Sequence, residues 1–250
     1  MKKRILFLVL ALLFLTQIAF GKDFTTHKLP SGQTLIIKEV HDNPIVTIDT
    51  WIKTGSINEE DLNNGVAHFL EHMFFKGTLK NPTGKFDQII ESKGAITNAA
   101  TSKDYTHYYI VIPSKYYDIA MELHSDMLLN PLLPRNELEM ERKVVLEEMA
   151  RGNDSPDSII YKKMNALLYT RHPYKRDVIG LSNVIETIPR EKMFEFYNRW
   201  YKPDNMVTVV VGDINTNEVI KSVEENFITS GEYKAPIIKN NVTEHHIFWL

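Results

Sequence analysis

The sequence predicts an α+β fold: a mixed, largely antiparallel sheet covered by helices. Three observations carry that prediction. Strand-like runs crowd residues 24–52, helical periodicity dominates 115–200, and a lone apolar run, Asn205–Gly212, returns near the end. Strands, then helices, then one late strand fit helices packed on a single sheet better than alternating βαβ units. At 250 residues, with 43% hydrophobic and 24% charged, the chain suits one large domain, or one domain plus a fragment of another.

Residues 1–21 stand apart from that core. Lys2, Lys3 and Arg4 precede an apolar run from Ile5 to Phe20, and Ala19 and Gly21 lie three and one before a cut ahead of Lys22. This is the layout of a secretory signal peptide. The run falls short of the roughly 20 residues that a spanning helix needs, so no stable membrane span is expected; an uncleaved anchor is the alternative. Cleavage removes three positive charges and no acidic ones, taking the net charge from −3 to −6. That balance argues against a nucleic-acid partner. With no cysteine, metal ligands must come from His, Asp and Glu, a set compatible with zinc.

Phe24 to Val40 reads as a hairpin turning at Pro30-Ser31-Gly32, and Ile45–Ile52 is a third strongly β-prone run. A helix is predicted at about 61–75, capped by Asp61, Asn63 or Asn64 and stopped by Gly77. Another follows at 83–93, with Phe86, Ile89 and Ile90 on one face. Two strands fill Gly94–Pro113. The small, polar Asn98-Ala99-Ala100-Thr101-Ser102 suits either an exposed edge that another chain can approach or an ordinary loop. Helices are expected at 115–129, 134–152, 155–169, 190–200 and 215–227. Thr229–Asn241 reads as a linker, and Ile247-Phe248-Trp249-Leu250 as the first strand of a further unit.

Chemistry concentrates in the 61–75 helix, in Gly65-Val66-Ala67-His68-Phe69-Leu70-Glu71-His72-Met73. Residues of a helix advance by about 100° each, so His68, Glu71 and His72 share an arc of roughly 100°. Two imidazoles four apart can grip one metal ion, and a neighbouring carboxylate can serve a water bound to it. Two histidines do not hold zinc alone. A third ligand is best sought in Glu137–Met149, where Glu141 and Glu148 lie seven apart on one face beside Val144 and Val145. A solvated acidic helix paired to Arg142 and Lys143 accounts for Glu137, Glu139 and Glu147, and less well for Glu141 and Glu148.

The run Gly65–Thr78, with Asn98–Ser102 and then Glu141…Glu147-Glu148, resembles the pitrilysin/insulinase family of inverzincin zinc metallopeptidases, and most of all its processing-peptidase branch. The likeness spans about residues 24–229 and includes Tyr201–Met206 and Val211-Gly212-Asp213. It implies His68, His72 and Glu148 as ligands of one zinc ion, Glu71 as the catalytic base and Glu141 as a supporting acid. It also implies Asn98, Ala99, Ala100 and Thr101 as the substrate-binding edge. The implied reaction is endopeptidase hydrolysis of peptides or unfolded polypeptides by zinc-activated water, with Glu71 taking its proton. Family enzymes pair two homologous halves in a clamshell. On that pattern 1–21 is the signal peptide, 22–229 the zinc-binding half, and 230–250 a linker and the truncated start of a second half. A second half in cis or in trans is then the expected partner, and the periplasm or the medium the expected location. The alternative is a non-catalytic peptide-binding or assembly subunit that needs a partner half for activity.

Overall fold

The structure, a computed structural model, describes residues 24–228. The predicted leader at 1–21 and the predicted linker and strand at 230–250 lie outside these residues. Six strands form one sheet in the order β1 (Thr25–Lys28), β2 (Thr34–Glu39), β6 (Met206–Gly212), β3 (Ile45–Ile52), β5 (Thr106–Pro113) and β4 (Ile96–Thr101). β2 and β6 run parallel, and the other neighbours run antiparallel. The mixed, largely antiparallel sheet is therefore as predicted.

Eight α-helices accompany it among the described residues: α1 (Val66–Phe74), α2 (Lys85–Ser92), α3 (Tyr117–Leu129), α4 (Arg135–Asn153), α5 (Pro156–Leu168), α6 (Ser182–Ile185), α7 (Arg190–Trp200) and α8 (Thr216–Asn226). The β3 residues Val46, Ile48, Thr50 and Ile52 are buried, as are Tyr108, Ile110 and Ile112 of β5, as a period of two requires of a strand with one core face. α3 packs on β3 and β5, α8 on β2, and α1 on β4. Several buried polar groups pair across the sheet. Gln33 donates to Thr208 at 2.7 Å, Thr208 and Thr50 share a hydrogen bond at 2.8 Å, and His124 Nε2 meets Thr50 Oγ1 at 2.9 Å. Among the described residues no helix is long and apolar enough to cross a membrane.

Four local expectations are corrected. The metal-motif helix begins at Val66, not 61, because 56–58 and 61–63 form two short 3-10 turns. Its start is capped by none of Asp61, Asn63 and Asn64. The carboxylate of Glu59 reaches it instead, accepting from Gly65 N at 2.8 Å and Ala67 N at 2.9 Å. The helix ends at Phe74, and Gly77 lies beyond it, at φ +105° in the turn that follows. Glu137 is buried rather than solvated and accepts from Asn136 Nδ2 at 3.1 Å. The short α6 has no counterpart in the sequence reading.

Candidate active site

α1 buries Val66, Ala67, Phe69, Leu70, Met73 and Phe74, so its remaining stripe, with His68, Glu71 and His72, turns to a cleft beside α4 and β4. Gly65 fixes how α1 enters. It has φ +99°, and a Cβ there would sit 2.7 Å from Ile179 O. Gly180, at φ +91°, packs directly on it, and a Cβ on Gly180 would sit 2.4 Å from Asn64 O. The two glycines let the 172–181 loop touch the start of the helix backbone to backbone.

His68 Nε2 and His72 Nε2 lie 3.8 and 3.6 Å from the same oxygen, Glu148 Oε2. Those three ligand atoms all fall within 4.8 Å of one another. Tetrahedral zinc, with bonds of about 2.0–2.2 Å, would separate its ligand atoms by about 3.4 Å, so the cluster fits the ion with little movement. The proton inventory also fits. His72 Nδ1 meets Glu141 Oε2 at 3.0 Å, which puts the ring proton on Nδ1 and leaves Nε2 its lone pair. Lys76 holds the other oxygen of Glu141 at 2.7 Å. Burial first, and then the neighbouring His72, lower His68 to about 4, so its ring is neutral, as a ligand must be. His68 Nδ1 is buried with no hydrogen-bond partner among the described residues. Burial alone would raise Glu141, but hydrogen bonds from Lys76 and His72 outweigh it and hold its carboxyl below the ordinary range.

Glu71 points beside this group and not into it. Burial pushes its carboxyl up from the ordinary value, against a hydrogen bond from Thr101 Oγ1 to its Oε2 at 2.5 Å. Thr101 ends β4, the terminal strand of the sheet, where Ile96 is 65% exposed and Asn98 and Ala100 are exposed too. The structure thus brings Asn98, Ala99, Ala100 and Thr101 onto one open edge whose last residue touches Glu71. The loop alternative is set aside for 98–101 by pairing with β5, Asn98 opposite Tyr109 and Thr101 opposite Thr106, while Ser102 lies just past the strand. Direct contacts therefore join His68, His72, Glu148 and Glu141, and join Glu71 to Thr101, while Asn98, Ala99 and Ala100 continue along the strand that Thr101 ends.

Two contributors were not read from the sequence. Lys76 stands four residues after His72, a spacing that on a continuous helix would put both on one face and could have suggested the shared carboxylate, although α1 ends two residues before it. Glu59 leaves no such signal, since it reaches α1 from an irregular turn.

A family model described as Insulinase (Peptidase family M16) matches residues 34–181, and one described as Peptidase M16 inactive domain matches 187–246. An uncharacterized zinc protease of Mycobacterium leprae is 32% identical over 211 residues, which are 83% of this chain and 47% of the relative. The mitochondrial-processing peptidase subunit beta of Dictyostelium discoideum is 33% identical over 184 residues, 73% of this chain and 39% of its own. Among solved structures, the periplasmic protease PqqL from Escherichia coli superposes with a TM-score of 0.81 at 30% identity, covering 88% of this chain and 25% of PqqL. A protease from Helicobacter pylori does so with a TM-score of 0.81 at 29% identity, covering 86% of this chain and 53% of that one. The chain spans about half the length, or less, of these relatives.

Proposed function

The chain belongs to the insulinase family, peptidase family M16, and from that premise we propose that it is the zinc-binding half, residues 22–229, of an endopeptidase acting on peptides or unfolded polypeptides. The carrying observation is the convergence of His68, His72 and Glu148 on one point, with Glu71 beside them and bonded to the open edge strand. His68, His72 and Glu148 would hold one zinc ion. When bound, zinc polarises the scissile carbonyl and lowers the pKa of water toward about 7. β4 receives the substrate as an added strand along Asn98–Thr101, reading its backbone more than its side chains. Glu71 takes the proton of the attacking water and delivers it to the amine as the C–N bond breaks. Its buried position raises its affinity for that proton, and Thr101 fixes which oxygen faces the reaction. Glu141 and Lys76 keep the His72 ring in the ligating tautomer.

Two features support export to the periplasm or the medium: the basic start followed by a short apolar run, and the likeness to a protease titled periplasmic. A second half, in cis or in trans, would complete the site. The competing reading is a non-catalytic subunit, favoured by the inactive-domain match at 187–246. A structural site needs no base, and Glu71 stands against that reading. The test is hydrolysis of a flexible peptide, before and after chelation and after zinc is restored, by this chain alone and with its second half. Activity that chelation removes, zinc restores and Glu71→Gln abolishes supports the peptidase. Activity unaffected by Glu71→Gln overturns it.

A further inference from the structure

A cleft of about 590 Å³ opens behind the metal cluster, between α4, α5 and the 172–182 loop. It is walled by the segments that build the active site. Met149 follows Glu148 on α4, Asn64 and Gly180 flank the start of α1, and Lys103 stands two residues past Thr101. The charge of Asp177, on its rim, acts on His68. A strand laid along β4 and continued past Thr101 therefore runs toward this cleft.

Its charge is unusual for a chain of net charge −3. Lys103, Lys162, Lys175 and Arg176 line it against only Asp61 and Asp177. Both carboxylates are matched, Asp61 by Arg176 at 2.9 Å and Asp177 by Lys162 at 2.9 Å. Lys103 forms no ion pair among the described residues, and the charge of Lys175 acts on the same Asp61 that Arg176 holds, so the lining keeps four cations against two carboxylates. Lys103 spends its ammonium on the carbonyls of Tyr174 and Arg176, each at 2.8 Å, which satisfy its donors but leave its charge. Lys175 is exposed, and its ammonium forms no hydrogen bond or ion pair among the described residues. The nearby Asp104 accepts from the Tyr174 hydroxyl and keeps its charge, but it does not line the cleft. The two buried amides of the floor, Asn64 and Asn165, are already engaged: Asn64 donates to Glu59 Oε2 at 2.7 Å and Asp177 O at 3.0 Å, and Asn165 to Tyr161 O at 3.0 Å, whereas Arg176 Nη1 is a buried donor with no hydrogen-bond partner among the described residues.

We propose that this cleft is a substrate subsite that accepts a carboxylate of the bound polypeptide, either an acidic side chain near the scissile bond or a free C-terminus. The inference rests on the peptidase reading above and adds the charge class of the preferred substrate. The donors and net positive charge fit a carboxylate, and they would repel a lysine or arginine side chain. Because Lys175 is exposed, the preference weakens with salt.

The test uses the zinc-loaded Glu71→Gln chain, which should hold peptide uncut, and fluorescein-labelled ten-residue peptides. One glutamate, glutamine or lysine is walked through the sequence, with amidated and free-acid C-termini compared. Binding is read by anisotropy, and cutting of the same peptides by the wild-type chain with its second half. At one position, or at the free terminus, the carboxylate peptide should bind at least about fivefold tighter than its neutral twin, and the lysine peptide weaker than both. Lys175→Glu should abolish or reverse that order, while Lys80→Glu, an exposed lysine outside the cleft, should keep it. Equal binding of all peptides, with normal cutting, overturns the subsite and leaves the peptidase standing. Neither binding nor cutting of any peptide overturns both. A preference for the lysine peptide, or one that Lys175→Glu leaves intact, overturns the assignment.

Discussion

Removing the carboxylate of Glu141 should weaken metal binding without touching a ligand. Its two oxygens are divided between His72 Nδ1 at 3.0 Å and Lys76 at 2.7 Å, and its side chain is only 13% exposed. In Glu141→Ala the Nδ1 proton loses its acceptor and the His72 ring loses its orientation. The ammonium of Lys76 is left uncompensated beside a site that must take up a cation. Losing such an outer partner costs roughly 10–100-fold in metal affinity, about 1.4–2.7 kcal/mol. The Ala variant should fall near the upper figure. Glu141→Gln, which keeps an oxygen for Nδ1 but not the charge, should fall near the lower. Adding Lys76→Met to Glu141→Gln removes the unmatched cation and should recover part of the loss. The assay is a competition titration against a chromophoric zinc chelator, with circular dichroism confirming the fold of each variant. Affinities within threefold of wild type in both single variants would refute the role given to Glu141.

Other expectations follow from the same geometry. Gly180→Ala puts a Cβ 2.4 Å from Asn64 O at φ +91° and should cost about 2–4 kcal/mol in urea unfolding; a loss below 0.5 kcal/mol would show that the loop does not need its contact with Gly65. Thr101→Val should leave zinc content alone and lower kcat roughly tenfold, about 1.4 kcal/mol, through loss of its bond to Glu71; an unchanged kcat contradicts that tie. His124 is buried and neutral, lowered by desolvation to about 3 from 6.5, so the folded state resists its protonation. Its stabilisation is full above pH 6.5 and is lost as pH falls toward 3, about 2 kcal/mol of it by pH 5. The metal-free protein should therefore lose more stability between pH 7 and pH 5 than His124→Leu does, and equal losses would contradict a neutral buried ring.

Much of the fold was legible because its signals are local. The hairpin at 24–40, Ile45–Ile52 and the late strand were readable from β-branched runs and turn residues. The helix periods located α2, α3, α4, α7 and α8 within a residue or two. Neighbour relations were not legible. β2 and β3 follow one another in sequence, yet β6 inserts between them after more than 150 residues, and no local pattern encodes that choice. The site was legible where the helical period decides, as for His68, Glu71 and His72. Across elements it was less so: spacing alone left Glu141 and Glu148 open as the third ligand. The structure shows Glu148 Oε2 facing both Nε2 atoms while Glu141 faces Nδ1 of His72. Glu59 went unread because its reach to α1 depends on two 3-10 turns that carry no periodicity.

The central claim separates three ligands from one base, and zinc per chain tests it directly. Purified wild type and Glu71→Gln should each carry one zinc by elemental analysis, with Glu71→Gln inactive on a flexible peptide. His68→Ala, His72→Ala and Glu148→Gln should carry almost none after the same preparation. Zinc retained by Glu148→Gln and lost from Glu71→Gln would exchange the roles of the two carboxylates and contradict the account.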